Sequence, residues 1–122
     1  MNTSKSVLKD KSFLFAISVV NLYNDLCNRE KEFVMSKQLL RSGTSVGANI
    51  REAKNAESTK DFIHKLGVAQ KECDETQFWL ELLNETKYLS KERYLQLYDE
   101  ANQIYKMLRS TILTSKQKMD KT

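Results

Sequence analysis

The chain has 122 residues, room for one domain around one core and too little for two. Its 40% hydrophobic and 30% charged content excludes a disordered chain, and its apolar runs are too short and too polar to span a membrane. Lys and Arg number 20 and Asp and Glu 16, so the net charge is +4 and the pI near 9.0, compatible with a polyanionic partner.

Proline is absent and glycine occurs three times. That scarcity of breakers, with much Leu, Lys, Glu and Ala, predicts an all-α fold. Residues 1–9 are polar and expected to fray. The first helix is expected over 11–29. Ala16, Val19, Val20, Tyr23, Leu26 and Cys27 have helical spacing, and Phe13, Phe15, Ile17 and Leu22 widen the apolar surface. A helix apolar on most sides is buried on two of them, which points to subunit contact. The segment is a poor signal peptide, because Asp10 and Lys11 interrupt it and no small-residue cleavage site follows. Cys27 and Cys73 have no CxxC partner, and the single His64 has no cysteine near it, so two buried thiols in a reducing cytoplasm are expected and a zinc site is not.

The second helix, expected over 36–55, has three faces. Leu39, Gly43, Val46, Ile50 and Ala53 form an apolar seam, and Ser42, Ser45, Asn49 and Glu52 form a polar one beside it. Lys37, Arg41 and Arg51 cluster on a third face, within about 80° of one another on the helical wheel. Arg41 borders the polar seam, where Glu52 is a candidate partner. Gly43 and Gly47 have the small-xxx-small spacing that lets two helices approach closely. Their context lacks the GxxxxGK[ST] pattern of a phosphate loop.

Ser58 is the expected N-cap of a third helix over 59–88, with Asp61 approximating a capping box. Its seam is Phe62, Leu66, Ala69, Cys73, Thr76, Leu80 and Leu83. Ser90 is the expected cap of a fourth helix over 91–114, with the seam Tyr94, Tyr98, Ala101, Tyr105, Leu108 and Ile112. Ser115 to Thr122 read as a basic polar tail. Four helices with short turns pack as antiparallel neighbours, so residues 1–122 are expected to form one up-down-up-down bundle.

The runs LLRSGTSVGANIREA (39–53) and KDFIHKLGVAQKECDETQFWLELL (60–83) resemble the family called four helix bundle protein or 23S rRNA intervening-sequence protein. The resemblance implies an up-down four-helix bundle that assembles as a homopentamer. Some such proteins are encoded inside insertions in 23S rRNA genes. Relatives are accessory proteins of reverse transcriptases in diversity-generating retroelements, where a basic pentamer engages nucleic acid and the polymerase.

The polar seam Ser42, Ser45, Asn49, Glu52 reads as a buried polar network or an interface. No base is placed to activate a serine, so no catalytic residue is assigned. Di-iron bundles need ExxH pairs, which the third helix lacks, so neither metal nor cofactor is expected. The basic face Lys37, Arg41, Arg51 is the candidate contact for DNA or RNA. The function expected is a non-enzymatic, basic homo-oligomeric module for nucleic acid or a nucleic-acid enzyme such as a reverse transcriptase. The alternative is a protein-interaction scaffold that binds no nucleic acid.

Overall fold

The computed structural model describes residues 4–121. Four helices account for most of them: α1 (Ser4–Asn28), α2 (Met35–Ala53), α3 (Thr59–Glu85) and α4 (Lys91–Asp120). No strand occurs among the described residues. α1 packs on α2 and α4, and α3 on α2 and α4, while the diagonal pairs make no close approach. The register fixes the directions. Val19 meets Gly43 and Ser12 meets Gly47, Ser42 meets Thr76 and Glu52 meets Lys65, and Asp25 meets Arg93 and Lys11 meets Gln103. Cys73 meets Ala101, and Phe62 shares a cleft with Thr111. In every pair the numbers rise on one helix as they fall on the other, so neighbours are antiparallel and the bundle is up-down-up-down.

The core is a continuous apolar column. Phe15, Val19, Leu22 and Leu26 of α1 face Leu39, Val46 and Ile50 of α2, with Leu66, Leu80 and Leu83 of α3 and Leu97, Ile104 and Leu108 of α4 completing it. The buried seam of α1 is therefore Leu8, Ser12, Phe15, Val19, Leu22, Leu26. The sequence-based seam through Ala16, Val20 and Cys27 is rotated from it. Both stripes have helical spacing, and the one with Phe15, Leu8 and Leu22 buries more apolar area. The other is left half covered or open.

Two helices are longer than the sequence suggests. α1 begins at Ser4 because buried Leu8 docks its first turns on the core, which corrects the expectation of fraying for residues 4–9. Residues 1–3 lie outside the described residues. α4 continues to Asp120 because nothing in the segment expected as a polar tail breaks a helix, and Ile112 still packs on the core. Thr122 lies outside the described residues. α3 stops at Glu85, where Lys87 takes φ 68° and the Tyr88 N–H returns to Leu83 O at 2.9 Å, a left-handed C-terminal turn.

Each helix start has a local reason. Ser58 accepts from Asp61 N at 3.0 Å and Ser90 from Arg93 N at 3.2 Å. The Asp61 carboxylate accepts from Glu57 N, one residue before the cap, so the box closes outside its usual position. α2 is capped differently. Lys31 adopts φ 54° and turns the chain so that the buried Glu32 carboxylate accepts from Val34, Met35 and Ser36 N–H at 3.1, 3.1 and 2.7 Å. Burial pushes the Glu32 carboxyl up, but the Ser36, Met35 and Val34 N–H groups outweigh it and hold it below the usual carboxylate range. None of the described helices is long and apolar enough to cross a membrane.

Candidate interaction site

The three faces of α2 meet three different surroundings. Its apolar face lies against α1 with very little space. A Cβ on Gly43 would stand 2.8 and 2.9 Å from the two Val19 methyls, and one on Gly47 would stand 3.3 Å from Ser12 O. The two glycines are what allow α1 and α2 to approach at this crossing.

The polar seam turns toward α3. Ser42 is fully buried, and its Oγ lies 3.0 Å from Thr76 Oγ1, which also reaches Glu72 O at 2.7 Å. Asn49 Nδ2 donates to Ser45 O at 2.9 Å and to Ser45 Oγ at 3.3 Å, so these two bond within α2. Glu52 accepts from Lys65 Nζ at 3.1 Å. Ser42 and Glu52 thus join α2 to α3, while Ser45 and Asn49 do not reach a second helix in any of these bonds.

The three cations of the basic face diverge. Arg41 does not pair with Glu52. Its guanidinium donates to Glu72 at 2.9 Å, to Glu75, and through Nε to Gln38 at 3.3 Å. Glu75 also accepts from Trp79 Nε1 at 3.0 Å. The Trp79 indole N–H, and after it Arg41, hold the Glu75 carboxyl below the usual range, while Glu75 raises the Arg41 pKa. Arg41 is therefore committed to α3, because two carboxylates on one face of that helix surround it. Arg51 leans the other way, its guanidinium 5.6 Å from the centroid of the Phe13 ring on α1. Lys37 is exposed. One strand meeting all three would have to draw Arg41 from its carboxylates.

Beside Arg51 lies the open apolar surface of α1, the helix whose apolar excess pointed to subunit contact, although its spacing did not fix which residues face outward. Phe13, Leu14, Ile17 and Val20 are 53, 64, 44 and 38% exposed within about two turns of α1. The signal was the surplus of apolar residues on that helix. Its orientation depended on which stripe the core took. Among the described residues no group of three His, Cys, Asp or Glu could hold a metal ion. Cys27 and Cys73 are free thiols. Cys73 is buried with its Sγ 3.2 Å from Ala101 O, and burial pushes its pKa up to about 12, whereas Cys27 is half-buried.

The family model described as 23S rRNA-intervening sequence protein matches residues 4–110. A crystal structure of a protein of unknown function from the S23 ribosomal protein family of Bacteroides thetaiotaomicron is 55% identical, covers 90% of this chain and 98% of its own, and superposes with a TM-score of 0.89. No curated protein matches the chain.

Proposed function

The chain belongs to the 23S rRNA-intervening sequence protein family, and from that premise we propose that it acts without catalysis of its own, as a basic homo-oligomeric module that binds nucleic acid or an enzyme working on nucleic acid, a reverse transcriptase among them. The observation that carries this reading is the outward face of α1. Four large apolar side chains stand open there in a helix whose other face already fills the core. A patch of this kind marks a contact surface. Identical chains can cover it by a heterologous contact that closes into a ring, and a ring of five is the number the resemblance implies. Arg51 stands at the rim of this face with Lys37 on the same helix, so assembly would repeat cations around the ring and weak phosphate contacts would add by avidity. The polar seam supports a packing role, since Ser42, Asn49 and Glu52 are engaged with α3 or with α2 itself. Free thiols fit a reducing, cytoplasmic setting.

Sedimentation velocity at micromolar concentration, joined to anisotropy of a labelled oligonucleotide, tests the reading. The parent is expected to sediment as a pentamer, and Ile17→Glu with Val20→Glu as a monomer of unchanged helicity. Binding is expected to be sequence-tolerant and to fade as salt rises. A monomeric parent refutes assembly. An assembled parent that leaves both DNA and RNA unbound at low salt replaces this reading with that of a scaffold.

A further inference from the structure

We infer that the phosphate backbone of nucleic acid is received on the α3–α4 face at the end where α3 starts, by Lys60 and Lys71 of α3 with Lys106, Arg109 and Lys116 of α4. The inference rests on the nucleic-acid reading above and places the main phosphate contact on α3 and α4, with Lys37 and Arg51 of α2 secondary to it.

Helical geometry and register bring the five together. α3 turns Lys65, Glu72 and Thr76 toward α2, and Lys60 and Lys71 project from its opposite flank, within about 20° of each other on the wheel. α4 turns Arg93 and Gln103 toward α1, and Lys106, Arg109 and Lys116 lie within about 80° on the flank beside α3. Cys73 against Ala101, and the cleft that Phe62 and Thr111 both line, set the two runs side by side. All five are exposed, and none makes an ion pair among the described residues.

Cations outnumber acids across the patch. From Ala101 to Met119 the chain has no Asp or Glu. From Thr59 to Lys71 the one acid is Asp61, whose carboxylate is turned to Glu57 N. The nearest acids border it, Asp74 one turn after Lys71 on α3 and Asp120 one turn after Lys116 on α4, while Glu81 and Glu85 stand toward the other end of α3. Lys106 to Lys116 spans about 15 Å of helix. One strand of a duplex carries a charge about every 3.4 Å of axis, so the α4 run alone spans about four phosphate intervals. Gly67 lies between Lys60 and Lys71, and the space where its Cβ would stand is open to 4 Å, so a backbone can come close to α3 there. The apolar member of the patch is Leu113, with no exposed aromatic ring among the five cations. The chemistry is therefore phosphate contact rather than base stacking. Lys116 lies beyond residue 110, where the family match ends, and the continuation of α4 is what brings it into line.

The test measures anisotropy of a fluorescein-labelled, mixed-sequence single-stranded oligonucleotide across a salt series. Five phosphate contacts give a slope of log K against log salt of about −3.5, roughly a hundredfold loss between about 50 and 200 mM salt. Lys106→Gln with Arg109→Gln and Lys116→Gln should reduce the slope to about −1.4 and the loss to roughly sevenfold. Helicity and sedimentation should not change, because the three side chains are exposed. Lys37→Gln with Arg51→Gln, on α2, should leave more of the slope in place. If the parent binds and the α4 variant keeps its slope while the α2 variant loses it, the site is wrong and the nucleic-acid reading stands. If the parent binds no oligonucleotide at low salt, both fall. If it binds polyglutamate but no oligonucleotide, the face serves an acidic protein and the inference is overturned.

Discussion

Gly43→Ala should destabilise the protein although alanine is the better helix former. A Cβ at position 43 would lie 2.8 and 2.9 Å from Val19 Cγ1 and Cγ2 and 3.3 Å from Val19 Cβ. Carbon atoms prefer about 3.5–4.0 Å, so both methyls are overlapped by more than about 0.5 Å. Val19 has nowhere to go. It is 0% exposed, and a β-branched side chain in a helix has essentially one χ1 rotamer. Relief requires α1 to move away from α2, and overpacking of this kind costs about 1–3 kcal/mol. Replacing a helical glycine returns about 1 kcal/mol. The net expectation is a loss of about 1 kcal/mol, or about 4 °C in Tm. Gly67→Ala isolates the steric part, because nothing lies within 4 Å of its Cβ and the propensity gain should appear as a rise in stability. The two alanine variants should therefore differ by about 2 kcal/mol in urea denaturation at one protein concentration. Val19→Ala in the Gly43→Ala background should cost less than in the parent, since the second change opens the room the first one needs. A Gly43→Ala variant as stable as Gly67→Ala would refute this account of the α1–α2 crossing.

Three further outcomes can be checked. Glu32→Gln should lower stability by about 1–2 kcal/mol through loss of the α2 cap. The Glu32 carboxyl is depressed in the folded state, so its contribution is present above the unfolded pKa and is lost as pH falls through the folded one. The gap between parent and variant should narrow in acid, and a gap independent of pH would contradict the capping role. Iodoacetamide at mildly alkaline pH should modify Cys27 well before Cys73, whose pKa is pushed up to about 12, as followed by mass spectrometry of the folded protein; equal rates would mean that the α3–α4 seam opens readily. Arg41→Gln should cost less than about 1 kcal/mol, an effect that salt diminishes, because the guanidinium side is half exposed. It should leave oligonucleotide binding within about twofold of the parent, and a larger loss would return Arg41 to the binding face.

The parts of the molecule set by local chemistry were legible in the sequence. Absence of proline and the 3.6-residue spacing mark four helices, and Ser58 and Ser90 mark two of their starts, because a cap hydroxyl acts on the N–H groups of the turn that follows it. The apolar seam of α3 from Leu66 to Leu83 was equally plain, since its 4-3 spacing holds without a break and the buried residues follow it. The small pair Gly43 and Gly47 signalled a close crossing, although Val19 and Ser12 as its partners could not be read from α2. Tertiary structure decided everything that required choosing between neighbours. α1 carries two stripes of helical spacing, and only the shape of the space left by α2 and α4 selects Phe15 and Leu22 for the core and turns Ile17 and Val20 outward. Arg41 shares a face of α2 with Glu52 but stands about 16 Å from it along the axis, whereas Glu72 and Glu75 lie across the α2–α3 seam, a proximity fixed by packing thirty-odd residues away in sequence. Periodicity reports the environment averaged around one helix; the direction of each side chain depends on the helices that surround it.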